Sequence, residues 1–387
     1  MTTATVSAPR QLSRLPWATA MGVFVVVRAI GIAVLALLAA RRDVSFGTLF
    51  TKWDGQWMVA IAQYGYRDVP ATLTDAHGIH TADTGYAFFP GYPLLVGVLA
   101  DAPGVSVTTA ALTLNVLFGL IAAVGVARLG ALCADRMTPE NDPGRAGLYL
   151  VVLFAATPMS VVLNMAYTEA LFCALAAWAL VFVLERSWLA AGAAALAIGL
   201  VRPTGVAVIA VVMVAAVVAR RDGPRAWAAV VLAPLGYLGY LGYVAARTGS
   251  LDGWFTIQTQ GWDTRMDLGA AATEFIADSL TVSQDFAAIA TALIMLGVLC
   301  LLMWSVAARL PWPVLAYGAL VTASILLSSG LMMSRARLLL PAFVLLIPLA
   351  VLLSRQRRTT AAAVLAPIVL LSAWFGAYML TVFQYAI

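Results

Sequence analysis

The 387-residue sequence has one lysine, Lys52, two histidines and three cysteines. Charged residues make up only 11% of it, where a soluble domain carries about 25%. Each shortage narrows the field. So little charge cannot cover a soluble surface of this size. Cys133, Cys173 and Cys300 lie far apart, in or beside apolar stretches. They form no CxxC or Cys/His spacing, which argues against a disulfide framework or a zinc site. The net charge of +5 comes from arginines in short loops between apolar runs. That pattern belongs to membrane orientation and implies no nucleic-acid partner.

What is abundant is apolar: 63% of the residues are hydrophobic. Runs of about 20 apolar residues, enough to cross a ~30 Å hydrocarbon core, recur along most of the chain. They predict an all-α polytopic membrane protein in a single domain over 1–387, embedded in the lipid bilayer. About eleven spans are expected, at 17–40, 106–134, 146–166, 168–186, 188–203 and 204–220, then 226–246, 285–307, 312–333, 336–353 and 360–384. The 188–220 region is interrupted by Arg202-Pro203. The first run is too long for a signal peptide and is read as a retained span. "YAFFPGYPLLVGVLA", 86–100, is short and proline-rich, which predicts a re-entrant or interfacial helix.

Arginine distribution sets the expected orientation. With a cytoplasmic N-terminus, Arg10, Arg14, Arg136, Arg145, Arg186, Arg220, Arg221, Arg225, Arg309, Arg355, Arg357 and Arg358 fall inside. The acids collect in two longer loops, about 41–86 and 247–284, on the exterior side. Any chemistry is expected there.

The first of these loops holds "TKWDGQWMVAIAQYGYRDVP", Thr51–Pro70. On a helix over 51–64, Trp53, Trp57, Ala60 and Tyr64 share one face. Tryptophan and tyrosine favour the membrane–water interface, so an amphipathic helix along the outer surface is expected. Asp54, about 100° around from Trp53, then points toward the protein interior. Two readings fit it: a carboxylate at a helix N-terminus satisfying free N–H groups, or a catalytic group reached from both water and lipid.

"WDGQWMVAIAQYGY", followed about twenty residues later by "YAFFPGYPLL", resembles the PIG-V-type mannosyltransferases. These are integral-membrane glycosyltransferases of the GT-C class. "AYTEALF" at 166–172, "GLVRPTGV" at 199–206 and "SRARLLLPAF" at 334–343 fit the same pattern in order. Leu338 stands where the pattern usually has an aromatic. The resemblance implies a GT-C fold and a polyprenyl-phosphate sugar donor. It implies a glycolipid or glycan acceptor, and an acidic residue in the first exterior loop. The motif places Asp54 there as general base, because a sugar hydroxyl has a very high pKa and must lose its proton as the bond forms. Attack opposite the phosphate inverts the anomeric centre and needs no carboxylate nucleophile.

A departing lipid phosphate gains negative charge, which fixed guanidinium groups suit. Arg335, Arg337 and Arg202, at the expected exterior ends of spans, are the phosphate candidates. Snorkelling to the bilayer edge is their plain alternative. Arg28, mid-span, must pair or face a cavity, and a structural ion pair is expected. Glu169 is either a carboxylate on a helix dipole or an acceptor contact. Trp53, Gln56, Trp57 and Tyr86 from the motifs, and Gln258, Gln260, Trp262 and Asp263 from "DGWFTIQTQGWDTRMD", are candidate sugar or acceptor contacts. Interface anchoring explains the tryptophans equally well. His77 and His80, in "HGIH" near Asp75 and Asp83, are read as hydroxyl-binding or as solvated loop. Two histidines without a carboxylate cluster make a poor metal site, so no cofactor is firmly implied and a divalent metal is the minor alternative. A transporter or flippase of lipid-linked sugars, and a non-catalytic subunit of a glycosylation complex, are the rival functions. The first would need ionisable residues along a central path.

Overall fold

A computed structural model describes residues 17–138, 142–383 and 385–386; Arg10 and Arg14 lie outside them. Among the described residues seventeen α-helices follow in order. They are α1 (Trp17–Arg41), α2 (Asp54–Tyr64), α3 (Gly91–Ala100), α4 (Val107–Met137), α5 (Pro143–Ala155) and α6 (Glu169–Leu184). Next come α7 (Trp188–Ile198), α8 (Val206–Val218), α9 (Pro224–Leu232), α10 (Leu235–Thr248), α11 (Gly253–Trp262) and α12 (Ala270–Thr281). The last are α13 (Phe286–Ala307), α14 (Trp312–Leu326), α15 (Arg335–Leu338), α16 (Ile347–Ser354) and α17 (Arg358–Thr381).

Local chemistry sets many of these starts. Ser106 Oγ accepts from Thr109 N at 3.1 Å ahead of α4. Asp142 caps α5, with Pro143 at its first position, and Asp285 caps α13 through Ala287 N. Each satisfies a backbone donor that a helix start leaves free. Asp267 does the same for α12, accepting from Gly269 N and Ala271 N at 2.9 Å each. Those two N–H groups hold its carboxyl below the usual carboxylate range.

The eleven expected spans are all found as helices, but five of them are shorter than a bilayer crossing requires. Among the described residues five helices are long and apolar enough to cross, counting α9 and α10 as one, and a sixth if the pair bent by 52° at Leu338–Leu340 is one span. Segments α5, α6, α7, α8 and α14 stop short. The reason is physical. Between α5 and α6 the chain runs through a 3-10 turn at Ser160–Asn164. Between α7 and α8 it is extended at Arg202. Between α14 and α15 it makes another short turn. Irregular backbone at membrane depth is tolerated only where it is buried in protein or lines a cavity. All three breaks converge on one end of the bundle.

Helix α4 is the central post, packed against α5 and α6, while α1 pairs with α17. Close approach depends on small residues: a Cβ on Gly147 of α5 would strike the Ala127 carbonyl of α4. Arg28, inside α1, is buried, but not in the expected ion pair. Its guanidinium donates to Ala155 O at 2.9 Å, Ser160 Oγ at 2.7 Å and Asn164 Oδ1 at 3.3 Å. It therefore closes the end of α5 and fixes the turn that leads to α6.

The first long loop is also more structured than a surface strap. Helix α2 begins at Asp54, not before it. Its aromatic face turns inward rather than to the interface. Trp57 is buried and stacks on Phe88 at 5.1 Å; Tyr64 alone of the four expected residues is exposed. The inward turn follows from Phe88 of the "YAFF" segment, which offers a better apolar partner than headgroups. The segment 86–100 does form the expected short helix, α3.

Candidate active site

Four charged side chains from four separate segments meet where the helices break. Asp54 opens α2, and Arg337 comes from the four-residue helix α15. Glu169 opens α6, and Arg202 lies on the extended stretch before α8. Arg337 Nη1 donates to Asp54 Oδ2 at 2.5 Å. Its Nε lies 3.8 Å from Glu169 Oε1, which is also ion-paired with Arg202 Nη1. Two acids and two arginines thus alternate in one chain, with no net charge. Glu169 is 1% exposed and Arg337 7%, whereas the Asp54 side chain is 36% exposed. The chain of charges runs from a sealed end to an open one, and Asp54 stands at the open end.

The sequence supports this arrangement locally. Ala166 N donates to Phe50 O at 2.8 Å, tying the bend before α6 to the segment before α2. Tyr167 OH donates to Lys52 O at 3.1 Å, and the Arg337 guanidinium lies over the Tyr167 ring at 5.0 Å. Lys52 Nζ donates to Leu380 O near the end of α17 at 2.9 Å; partial burial pulls its pKa below the usual lysine value. Asn115, fully buried on α4, donates to Met165 O. Asp54 and Glu169 are therefore positioned by backbone held from both sides.

Some buried polar atoms in the cluster have no hydrogen-bond partner among the described residues, notably Glu169 Oε2 and Arg337 Nε. Unpartnered buried polar atoms are costly and call for an explanation. Here Arg337 Nε and Glu169 are held together by charge alone, 3.8 Å apart and without a hydrogen bond.

Arg335 is a correction. It sits two residues from Arg337 but does not join the cluster. Its guanidinium donates to Ile325 O, Ser328 Oγ, Ser328 O and Ser329 O at 2.6–3.1 Å. The last carbonyls of a helix have no partner within it, and Arg335 takes that of Ile325 in α14 together with those of Ser328 and Ser329 just beyond it. That duty takes it out of the phosphate set.

The remaining candidates divide by place. Trp53 precedes α2 with φ 51 and is half-buried, with the Lys52 ammonium 5.3 Å from its ring. Trp57, Phe88 and Trp262 form an aromatic wall, Trp262 meeting Phe88 edge-on at 5.7 Å. Gln258 Nε2 donates to Ala87 O at 3.0 Å, joining α11 to the first loop. Tyr86 is 2% exposed and packs on Tyr66; it is part of a buried tyrosine cluster, not a sugar contact. Gln56 and Gln260 are exposed. His80 Nδ1 donates to Leu73 O at 2.6 Å. His77 Nε2 lies 3.2 Å from Asp263 Oδ2, and Ala76 N donates to Gly261 O, so the two long loops are clipped together. Among the described residues no three His, Cys, Asp or Glu side chains gather as metal ligands.

Sequence reasoning missed Tyr167, Asn115 and Lys52. A lone amide inside an apolar helix, as at Asn115, was the available signal.

No protein-family model matches the chain. Over 133 residues it is 31% identical to GPI alpha-1,6-mannosyltransferase 2 of Mus musculus, covering 32% of this chain and 22% of that protein. The Cricetulus griseus protein of the same name gives the same figures. The chain thus matches about a fifth of the length of these curated relatives. Among solved structures it is similar to ArnT from Cupriavidus metallidurans bound to undecaprenyl phosphate. The TM-score is 0.54 at 16% identity, over 89% of this chain and 63% of that one. The apo state of ArnT gives a TM-score of 0.51 over 87% and 60%.

Proposed function

From a chain that is PIG-V-like in sequence and has the polytopic membrane fold of GT-C glycosyltransferases, we propose an inverting glycosyltransferase. It moves a hexose, with mannose favoured, from a polyprenyl phosphate to an envelope glycolipid or glycan. The observation that carries the reading is the half-open carboxylate of Asp54 against the buried guanidinium of Arg337. One group can take a proton and the other can hold a phosphate.

The acceptor hydroxyl attacks the anomeric carbon from the face opposite the phosphate. Its proton passes to Asp54. The bond from the anomeric carbon to the phosphate oxygen breaks, and the electron pair leaves with the lipid phosphate. Arg337 and Arg202 face the charge that develops there, in surroundings where fixed donors act strongly. The half-buried rings of Phe88 and Trp262, backed by the buried Trp57, and the amides near them offer stacking and hydrogen bonds to a sugar. Support for a polyprenyl donor is the fold shared with a protein bound to undecaprenyl phosphate. Support for mannose is the named activity of the curated relatives.

The transporter reading finds no matching feature. Outside the cluster, the buried charges among the described residues are Arg28 and Arg335, and both are engaged by carbonyls and neutral side chains. No central path of ionisable groups follows from them.

Purified chain given polyprenyl-phosphate mannose and an envelope lipid extract is expected to form a mannosylated lipid, detected by mass spectrometry. Product from a nucleotide sugar alone, with no lipid donor, would overturn the lipid-donor reading. The active end is assigned to the exterior, on the arginine pattern. In a cysteine-free background, a cysteine at position 75 should react with an impermeant maleimide in cells with a permeabilised envelope. Protection at 75 with labelling at 222 would reverse the orientation.

A further inference from the structure

Arg337 has one guanidinium and two claims on it. Its Nη1–H is held by Asp54, and its Nε–H faces Glu169 at 3.8 Å with no hydrogen bond made. Tyr167 covers one face of the guanidinium, which limits the directions from which anything else can approach. A lipid phosphate bound here would compete with Asp54 for the same positive charge. We propose that Arg337 is a shared counter-ion. It passes from Asp54 to the lipid phosphate during the reaction, so that base and leaving group are coupled through one guanidinium. The inference rests on the transferase reading above and deepens it.

The charge balance explains why sharing suits the reaction. The donor phosphodiester carries one negative charge and Asp54 another. When the acceptor proton reaches Asp54, that carboxyl becomes neutral. When the glycosidic bond to phosphate breaks, the released monoester gains the charge that Asp54 lost. The total is unchanged, but it has moved across Arg337. An arginine between the two sites keeps a counter-ion at every stage, whereas one fixed to either would be left unpaired at the other.

Glu169 makes this workable as a positioning residue. It is almost fully buried and paired with Arg202, so it does not follow the moving charge. It holds the sealed side of the cluster constant while the open side exchanges partners.

The test is a double-mutant cycle on binding of undecaprenyl phosphate to the full chain in detergent. Removing the competing carboxylate should strengthen lipid phosphate binding, by about tenfold for a close charge pair. So Asp54→Asn is expected to bind undecaprenyl phosphate about tenfold more tightly than wild type, and Arg337→Gln more weakly. The double variant should bind no better than Arg337→Gln alone, because the gain acts through that side chain. Asp54→Ser is the second variant in case Asn perturbs folding, and each sample must run as a single species on size exclusion. If Asp54→Asn and Asp54→Ser bind within twofold of wild type while Arg337→Gln is weakened, the counter-ion is not exchanged and the proposal fails. Absence of saturable undecaprenyl phosphate binding by wild type would overturn the transferase reading itself, and this inference with it.

Discussion

Asp54→Asn is expected to lower turnover by about 10²–10⁴-fold, the usual contribution of general-base catalysis, while the protein still folds and inserts. The substitution keeps size and most hydrogen bonding but cannot accept the proton. The ion pair with Arg337 is lost, yet it lies at the open end of the cluster, where the Asp54 side chain is 36% exposed. A helix-terminal carboxylate of no catalytic importance would contribute only about 0.3–1 kcal/mol of stability and would leave turnover near wild type. Asp54→Glu should recover little. The extra methylene moves the carboxylate from a start position fixed by the first turn of α2, and about 1 Å of displacement can cost roughly 10²-fold. The check is single-turnover transfer with lipid-linked sugar at matched expression. Turnover of the Asn variant within a few-fold of wild type would remove Asp54 as the base and make Glu169 or Asp263 the next candidate.

The largest structural effect is expected at Glu169. It is 1% exposed and is the acid that pairs with Arg202, itself only 11% exposed. Removing one member of a buried pair leaves the other charge uncompensated, which typically costs about 3–5 kcal/mol. Glu169→Ala should therefore lower the thermal unfolding midpoint of the detergent-solubilised chain sharply. Replacing both members by apolar residues of similar size is often far less harmful, so Glu169→Leu with Arg202→Met should regain part of the loss without regaining activity. A single variant with an unchanged midpoint, or a double variant no better than the single, would show that the pair is not buried in the way described.

The existence of the helices was legible in composition, because a run of about twenty apolar residues has few other fates. Their ends were not. The break at 199–205 shows in the sequence through Arg202-Pro203, but those at 156–168 and 327–334 mix serine, threonine, asparagine and glycine with enough apolar residues to be absorbed into the ends of the expected spans 146–166 and 312–333. What breaks the helices is tertiary hydrogen bonding, as Arg28 does to the end of α5. Asp54 and Glu169 were readable as acids beside apolar runs, and Arg202 as a charge before a proline. Arg335 and Arg337 could not be separated by sequence. Two residues apart on a helix they project about 200° from each other, and only the packed structure tells which side faces Asp54 and which faces the end of α14. The aromatics were overread in the other direction. Trp57 and Tyr86 look like sugar platforms in sequence, but each is covered by another aromatic from a neighbouring segment.

Arg28 carries a consequence for biogenesis. Helix α1 leaves the ribosome more than a hundred residues before Ala155, Ser160 and Asn164, the partners of its guanidinium. During that interval the first span must enter the membrane with an unneutralised arginine near its middle, at an insertion cost of about 2.5–3.5 kcal/mol. The apolar residues around Arg28 are then doing the work of carrying a cargo that is useful only later. Substituting those flanking leucines and valines with alanine should reduce integration of the nascent chain long before any effect on the finished bundle could be felt.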